Sequence, residues 1–282
     1  MGVDVSTVGQ EEALHGATGM RLRARSWPAA RPARATVVIV PGFNSHSGYY
    51  QDVAAALTAR RFDVCALDLR GRGQSDGERF FVESFDDYVS DLGVLVAHVR
   101  ARAAGQPLFL LGHSAGGVVA CLYALQHQAE LAGLVCESFA FRVPAPAFAL
   151  AALKGLSHLA PHAHVLHLKN EDFSRDPAIV AQMNSDPLIA HETQPTKTVA
   201  EMVRADERLA HAFPEFRLPL LILHGTADRA TRPDGSRAFF DEAGSTDKTL
   251  KLYEGAFHDP LNDLDRDTVM ADILSWLEAR VP

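Results

Sequence analysis

Short apolar runs recur along the chain, and longer segments with helical patterning separate them. Six runs are predicted as strands: Thr36–Val40, Phe62–Asp68, Leu108–Leu111, Gly133–Cys136, Leu220–His224 and Thr249–Tyr253. They are almost continuously hydrophobic, which is typical of strands buried on both faces of a parallel sheet. Helices are predicted at roughly 50–60, 85–104, 115–129, 233–243 and 265–280. This alternation predicts an α/β fold with a mostly parallel central sheet flanked by helices, preceded by an antiparallel lead-in within residues 1–35.

The alternation is interrupted between about residues 139 and 213. This stretch carries prolines, histidines and short helical patterns, and no convincing strand is predicted in it. We therefore expect a core formed by residues 1–138 and 214–282, with residues 139–213 inserted as a helical cap, or lid, over the sheet. The cap segment 144–159 is apolar on nearly all sides, which indicates a helix packed on the sheet edge or a helix that faces lipid. We favour the first interpretation.

The composition excludes several classes of protein. Hydrophobic residues make up 47% of the 282 positions and charged residues 22%, which is ordinary for globular domains and unlike disordered or coiled-coil chains. The formal net charge of −8 is the opposite of the basic character of nucleic-acid binders, so no nucleic-acid partner is expected. The three cysteines lie in apolar runs and are expected to be free thiols. Because no signal peptide or membrane-spanning run is found, we expect a cytoplasmic location.

The sharpest chemical signal is a G-x-S-x-G motif that runs from Gly112 to Gly116, with Ser114 at its centre. It directly follows the apolar run PLFLL and precedes the helical pattern VVACLYAL. A sharp turn between strand and helix leaves the serine hydroxyl exposed above the sheet, and glycines flank it because larger side chains would collide there. In this context the motif predicts that Ser114 is a nucleophile.

A nucleophilic serine needs a histidine to take its proton and a carboxylate to hold that histidine. Asp228 follows one predicted strand and His258 follows the next. Because α/β sheets place their sites at the carboxyl ends of strands, we assign Asp228 as the acid and His258 as the general base. Other acids nearby could replace Asp228, although its place directly after a strand favours it: Asp234, Asp259 and Asp263.

Most of the 13 histidines are expected to take no part in catalysis. His113 should point away from the site if Ser114 lies on the turn, and His224 should make an ordinary structural hydrogen bond at a strand end. Four histidines cluster in the predicted cap: His158, His162, His164 and His167. They lack cysteines or paired acids at ligand spacing, so we expect no metal, and nothing in the sequence indicates a cofactor.

Acyl transfer also requires N–H donors aimed at the oxyanion that develops on the substrate. One expected donor is the backbone N–H of Ala115, directly after the nucleophile, and the other belongs to the loop PGFNSHSG. We assign the second donor to Phe43, since Gly42 would let the backbone approach the substrate; a simple glycine turn is the alternative. The glycine-rich stretch 68–75 lacks the third glycine of a nucleotide-binding loop and is interpreted as a tight structural turn.

Together, these motifs resemble those of the monoacylglycerol lipase and lysophospholipase branch of the α/β-hydrolase superfamily. PGFNSHSGYY is similar to the HG-x-x-x-HSGRY segment of that family, and GHSAGG stands where GHSMGG is usual. Further similar segments are DLRGRGQSDGERFFVESFDDYVSDL, FSRDP, SDPL, GTADRATRPDGSRAFF and YEGAFHDPLND. The resemblance runs from about residue 11 to the C-terminus. It implies an α/β-hydrolase fold with a helical cap insertion, the triad Ser114, Asp228 and His258, and oxyanion donors at Phe43 and Ala115.

The resemblance also implies a serine hydrolase that cleaves small-molecule acyl esters, above all monoacylglycerols or lysophospholipids with a single acyl chain. Pro41 and Ala115 replace the histidine and methionine usual in the family, which could reshape the acyl pocket without removing a donor amide. The cap could contact membranes transiently, and only through apolar side chains, because the net charge disfavours anionic lipid surfaces. The alternatives are a short-chain carboxylesterase, an acyltransferase that uses the same acyl-enzyme, and a non-catalytic receptor on the same scaffold.

Overall fold

An eight-stranded sheet forms the centre of the protein. The computed structural model describes residues 9–16, 19–30, 32–142 and 145–281. Its strands, including two outside the central sheet, are β1 (Gln10–His15), β2 (Arg21–Trp27), β3 (Ala35–Val40), β4 (Phe62–Leu67), β5 (Leu108–His113), β6 (Gly133–Glu137), β7 (His164–Leu166), β8 (Gln194–Pro195), β9 (Leu220–Gly225) and β10 (Lys248–Tyr253). Each of the six apolar runs forms a strand, with bounds that differ from the predicted ones by one or two residues.

The strands of the central sheet follow the order β1-β2-β4-β3-β5-β6-β9-β10. The six strands from β4 to β10 in this order run parallel to their neighbours. By contrast, β1 and β2 run antiparallel. The predicted mostly parallel sheet is therefore confirmed, and the antiparallel pair lies within the predicted lead-in. Because the parallel strands point the same way, β5, β9 and β10 all end at one edge of the sheet.

Eight helices are described: α1 (Gln51–Ala59), α2 (Phe85–Arg102), α3 (Ala115–His127), α4 (Ala147–Leu159), α5 (Pro177–Ser185), α6 (Thr196–Ala212), α7 (Pro233–Glu242) and α8 (Arg266–Glu278). The start of α2 is fixed by Ser84, whose side chain accepts the Asp86 N–H while the Asp87 carboxylate accepts the Ser84 N–H. This capping box satisfies two backbone donors that the helix itself cannot. Among the helices in the described part of the chain, none is long and apolar enough to cross a membrane.

An apolar core lies on each face of the sheet, which explains why the strands are hydrophobic at every position. Along β3, Val38 and Val40 face one core, to which α2 and α3 also contribute. The alternate residues Val37 and Ile39 face the other core, which includes side chains of α1 and α8. Since successive side chains of a strand point to opposite faces, burial on both sides requires a continuous apolar run.

The segment between β6 and β9 contains α4, α5 and α6 and a two-stranded antiparallel sheet of β7 and β8. The prediction that this segment contains no strand is therefore wrong. Strands of three and two residues are too short to show an alternating pattern, so the sequence carried no signal for them. Helix α6 packs on α3 and α4 and contributes Met202 and Leu209 to a core of the central sheet. The division into a core and a cap at residues 139 and 213 stays a prediction.

A buried arginine connects this inserted segment to the loop that follows β3. The Arg72 guanidinium is 1% exposed, pairs with Glu192, donates to Gln194 Oε1 at 2.7 Å and lies 3.8 Å from the centre of the Phe43 ring. Glu192 also accepts the Asn44 N–H at 3.0 Å. Arg72, which belongs to the glycine-rich stretch 68–75, therefore helps to hold the loop that contains Phe43 in place.

Candidate active site

The turn between β5 and α3 holds Ser114 in a conformation that few residues other than glycine adopt. Its backbone has φ 54° and ψ −121°. The turn is tight because the helix starts close to the sheet: a Cβ at Gly116 would lie 2.0 Å from the Val40 carbonyl oxygen, and one at Gly112 would lie 2.7 Å from the Gly116 carbonyl oxygen. Strained backbone of this kind persists only where the surrounding structure imposes it. The flanking glycines are thus required by packing.

Three side chains from the ends of β5, β9 and β10 meet at this turn. The Ser114 hydroxyl lies 2.9 Å from His258 Nε2, and His258 Nδ1 lies 2.8 Å from Asp228 Oδ2. Ser114 is 5% exposed, whereas the side chains of His258 and Asp228 are fully buried. The structure brings together the three residues that the sequence pattern singled out, in the hydrogen-bonded order that proton transfer from a serine requires.

Asp228 accepts more hydrogen bonds than a neutral carboxyl could. Its Oδ2 accepts from Thr231 Oγ1 at 2.7 Å and from His224 Nε2 at 2.9 Å, besides the bond from His258. Its Oδ1 accepts the backbone N–H groups of Ala230 at 2.8 Å and Thr231 at 3.0 Å. Burial alone would raise the pKa of Asp228, but the nearby His258 and the hydrogen bonds outweigh burial and hold the pKa far below the usual range. Asp228 is therefore ionised.

His224 has a more specific role than a strand-end hydrogen bond. Its Nδ1 lies 2.7 Å from Ser236 Oγ and its Nε2 donates to Asp228, so the ring bridges helix α7 and the acid. Burial lowers the pKa of His224, which keeps the imidazole neutral. A neutral ring with Nε2 protonated orients Asp228 without competing with His258 for its charge.

The other acids considered from the sequence have different partners. Asp234 pairs with Arg232 at 2.8 Å on the surface, and Asp263 pairs with Arg175 at 2.8 Å. Asp259 accepts from the Asn262 side chain at 2.9 Å. In the described residues, Asp228 is the carboxylate bonded to the His258 ring.

His113 does not line the pocket at Ser114, but its ring contacts the backbone of His258. Its Nε2 donates to the backbone carbonyl oxygen of His258 at 3.3 Å, and the two ring centres are 5.0 Å apart. Ser114 lies on the turn, whereas the preceding residue still belongs to β5 and is buried in the protein. Burial lowers the pKa of His113 to about 4, so its ring is neutral and supports His258 from below.

The loop after β3 passes directly over Ser114. A Cβ at Gly42 would lie 2.8 Å from Ser114 Cβ. In this loop the N–H of Asn44 is bonded to Glu192, and that of Ser47 is bonded to Asp68 at 2.7 Å. Phe43 and Ala115 both line the pocket at Ser114, where their N–H groups are expected to act.

Phe173, the first residue of the FSRDP segment, completes the surroundings of His258, although no sequence pattern indicated this contact. Its ring meets the His258 ring edge to face with centres 4.8 Å apart. The backbone supports this contact, because Asp259 N–H donates to the Phe173 carbonyl oxygen at 2.9 Å and His258 N–H to that of Asp172 at 3.4 Å. A contact between residues this far apart in the chain depends on how the inserted segment folds back.

A pocket of about 390 Å³ opens above Ser114 and His258, a size suited to a small ligand. Most of its lining is apolar and comes from α4, β7 and α6: Ala149, Leu150, Leu153, Val165, Leu166, Val199 and Met202. Polar side chains also line it: His167, Lys169, Asp172, Arg229 and Thr231. Among these, Arg229 lies 3.6 Å from Asp172.

The clustered histidines of the inserted segment have separate partners. His162 pairs with Glu78 at 2.7 Å, His164 Nδ1 lies 3.0 Å from the Thr193 carbonyl oxygen, and His167 Nδ1 lies 3.1 Å from that of Glu192. His158 lies 3.2 Å from an Arg204 nitrogen. Each ring thus binds a neighbour of its own.

Comparison with known proteins gives consistent matches along nearly the whole chain. The protein-family model described as serine aminopeptidase, S33, matches residues 31–265. The monoacylglycerol lipase of Mycolicibacterium smegmatis is 30% identical over 276 residues, or 97% of this chain and 98% of that protein. The monoglyceride lipase of Homo sapiens is 34% identical over 272 residues, or 95% of this chain and 90% of that protein.

A solved structure agrees with these matches. The crystal structure of the Paleococcus ferrophilus monoacylglycerol lipase superposes with a TM-score of 0.83 at 30% identity, covering 92% of this chain and 99% of that one. The residues matched by the family model include the turn at Ser114. The chain therefore belongs to the serine aminopeptidase S33 family and is an α/β-hydrolase, a carboxylic ester hydrolase similar to monoacylglycerol lipases.

Proposed function

We propose that the protein hydrolyses monoacylglycerols and related esters with one acyl chain, with Ser114 as nucleophile, His258 as general base and Asp228 as the acid. The observation that carries the proposal is the pocket at Ser114, which joins an apolar wall to a polar cluster beside His258. A monoacylglycerol has the same division, because its acyl chain is apolar and its glycerol carries two free hydroxyl groups.

The polar cluster suits a glycerol head group. Asp172 is tied to His258 through its backbone, so its side chain stays near the reacting centre. Its carboxylate can accept a hydrogen bond from a hydroxyl group, and the neighbouring Arg229 guanidinium can donate one. The Arg229 guanidinium also lies over the Phe257 ring at 4.7 Å, which restricts its position.

The proposed reaction has two steps. His258 Nε2 takes the Ser114 proton as Oγ attacks the ester carbonyl, and the N–H groups of Phe43 and Ala115 stabilise the oxyanion. Asp228 stabilises the imidazolium, which then protonates the departing glycerol. Water attacks the acyl-enzyme by the same route and releases the fatty acid.

The chain-length dependence of turnover tests the substrate class. Each buried methylene contributes up to about 0.8 kcal/mol, so kcat/KM for p-nitrophenyl esters should rise by about 10- to 200-fold from butyrate to octanoate. We also expect a 1-monoacylglycerol to exceed the methyl ester of the same acid, because only the glycerol ester can bind Asp172 and Arg229. Replacing Asp172 with Asn should reduce this preference, whereas rates on methyl esters should stay the same.

The same assays separate the alternatives. A steep fall in kcat/KM beyond butyrate would assign a short-chain carboxylesterase. Transfer products that form when glycerol is added would assign an acyltransferase. A receptor without catalysis would leave Ser114 unlabelled by a fluorophosphonate probe.

We also propose that α4 contacts lipid surfaces transiently. Its outward side chains Phe148 and Leu159 are 78% and 86% exposed, and Leu156 is also exposed. At about 100° per residue these three fall within about 80° of one another around the helix, whereas Leu150 and Leu153 lie about 160° and 140° around the helix from Phe148 and line the pocket. The helix is thus apolar on two faces, and its exposed face is the kind of patch that binds membranes.

Substituting Phe148→Ser together with Leu159→Ser should reduce binding to phosphatidylcholine vesicles by about tenfold, since each side chain contributes about 1.5–3 kcal/mol when fully buried and less at an interface. KM for vesicle-borne monoacylglycerol should rise, whereas kcat/KM for p-nitrophenyl butyrate should not change. Leu264→Ser removes an exposed side chain outside this helix and serves as the control. Equal effects of both variants in a sedimentation assay would argue against the proposal.

A cytoplasmic location is the setting we propose for this activity. The three cysteines of the chain are free thiols, as predicted, and two of them are buried. Free thiols are typical of proteins kept in reducing compartments.

A further inference from the structure

Two buried carboxyl groups lie behind His258, and the proposed mechanism uses neither of them. Glu137 ends β6 and is fully buried, and Asp259 directly follows His258 and is 9% exposed. One oxygen of each carboxyl group and one ring nitrogen of His113 lie within 4.8 Å of one another. Two acids this close inside a protein are costly unless their charges are compensated.

The hydrogen bonds of the two groups are incomplete if both are ionised. One Glu137 oxygen accepts the Leu261 N–H at 2.9 Å, and one Asp259 oxygen accepts from the Asn262 side chain at 2.9 Å. The remaining oxygens, Glu137 Oε2 and Asp259 Oδ1, are buried without a donor. A proton on one of these oxygens would let it donate a hydrogen bond to the other, so that both oxygens would be hydrogen-bonded.

The surrounding charges also favour a proton on Glu137. Burial and then the neighbouring Asp259 carboxylate raise the pKa of Glu137 well above its usual range, against the opposing Leu261 N–H, and Asp228 raises it further. The other titratable groups that face the pair are neutral. Burial lowers the pKa of His113 to about 4, and burial raises the pKa values of the Tyr49, Tyr50 and Tyr253 phenols.

A nearby acid shows what an ionised carboxylate needs in this loop. Asp263 is buried too, but it pairs with Arg175 at 2.8 Å and accepts backbone N–H groups, including that of Phe257 at 3.0 Å. Burial opposes ionisation there as well, yet these bonds hold the pKa of Asp263 below its usual range. Glu137 and Asp259 have no such cation among the ion pairs of residues 9–16, 19–30, 32–142 and 145–281.

We propose that Glu137 and Asp259 share one proton in the active enzyme and that this acid pair positions the His258 loop against the strand that supports Ser114. The proton resides on Glu137 Oε2 and is donated to Asp259 Oδ1, so the pair carries a single negative charge. The Glu137 backbone oxygen also accepts the Ser114 N–H at 2.9 Å. Glu137 therefore links the turn of Ser114 to the loop of His258 through one residue, as a positioning residue that touches no substrate.

A bound metal ion is the competing explanation for the cluster, and the hydrogen bonds disfavour it. His113 Nε2 already donates to the His258 carbonyl oxygen, so this nitrogen carries a proton and cannot be a metal ligand. His113 Nδ1 lies on the side of Gly42, 3.3 Å from where a Cβ at Gly42 would lie.

Stability as a function of pH tests the shared proton independently of catalysis. A carboxyl group whose pKa is higher in the folded than in the unfolded chain makes wild-type stability fall as pH rises from about 4.3 towards the folded value. Glu137→Gln removes this dependence, while its amide can still donate to Asp259 and accept from Leu261. The melting temperature of Glu137→Gln relative to wild type should therefore increase steadily from about pH 5 to about pH 8.

Glu254→Gln is the matched control, because it removes an exposed acid from the same loop and should show no such trend. Infrared difference spectra of wild type minus Glu137→Gln should show the C=O stretching band of a protonated carboxylic acid. A melting-temperature deficit of Glu137→Gln that grows with pH, or spectra without that band, would mean that Glu137 is ionised and would overturn the proposal. Stoichiometric metal in the purified enzyme, lost in Glu137→Gln, would overturn it as well.

The positioning role rests on the proposed function of His258 and is tested by kinetics. Glu137→Gln keeps both hydrogen bonds and the charge of the pair, so kcat/KM near neutral pH should stay within about threefold of wild type. Glu137→Ala leaves the Leu261 N–H and Asp259 Oδ1 without partners, and a displaced general base should lower kcat by about 10- to 100-fold with little change in KM. Equal kcat values for the two variants would overturn the positioning role. If instead the proposed function were wrong, the wild type itself would show no turnover, so the two failures are distinguishable.

Discussion

Replacing Ser114 with alanine should lower kcat by about 10⁶-fold, because the proposed mechanism assigns the attack on the ester to this hydroxyl. The oxyanion donors and the pocket remain in this variant, so a residual rate above that of water is expected. The side chain is small and the backbone is held by the turn, so the folded structure should persist. Turnover of p-nitrophenyl octanoate and labelling by a fluorophosphonate probe measure the effect.

Ser138→Ala is the matched control for this substitution. Ser138 is also a fully buried serine with a positive φ near the site, but its hydroxyl is not hydrogen-bonded to His258 or to another side chain in the described part of the chain. We expect wild-type labelling and kcat within about threefold for Ser138→Ala. Near-normal esterase activity in Ser114→Ala would refute the assignment of the nucleophile.

Asp228→Asn should lower kcat by about 10⁴-fold, the loss typical of a triad whose histidine is held in the wrong tautomer. The carboxylate accepts five hydrogen bonds, three of them from the side chains of His224, His258 and Thr231. An amide has a single oxygen, and its NH₂ group would face donors, so His258 would lose the acceptor that keeps Nδ1 protonated. Substrate binding involves other residues, so KM should change little.

We also expect the difference in stability between wild type and Asp228→Asn to depend on pH. Because the pKa of Asp228 is lower in the folded chain than in the unfolded one, its contribution is fully present above about pH 3.9 and is lost as pH falls through the folded value. The stability advantage of wild type over Asp228→Asn should therefore shrink below about pH 4. Asp234→Asn, which removes a surface acid near the same site, should leave kcat within about twofold. A loss of kcat in Asp234→Asn as large as that in Asp228→Asn would contradict the assignment of the acid.

The elements that local patterns describe were predicted closely. Strand β3 needs apolar residues at every position because cores lie on both faces, and α2 begins at Phe85 because the side chain of Ser84 caps the helix. The turn at Ser114 was predicted from its flanking glycines, which are needed because the helix approaches the sheet closely there. In each case, the residues that form the structure are neighbours in the chain.

The parts that the sequence did not reveal depend on contacts between distant residues. Phe173 packs on His258 only because the inserted segment folds back over the sheet. The approach of Glu137 to Asp259 likewise joins separate strand ends. The periodic patterns of the sequence do not indicate such contacts, because each partner alone is compatible with an ordinary loop or strand end.

The backbone at Ser114 has φ 54°, a value that is costly for every residue except glycine. A glycine there would relax the turn and stabilise the protein by about 1 kcal/mol or more. The most stable member of a mutant library at this position would therefore be an inactive one. Selection for thermostability alone would therefore favour inactive variants. Directed evolution of this scaffold must screen turnover as well as heat resistance.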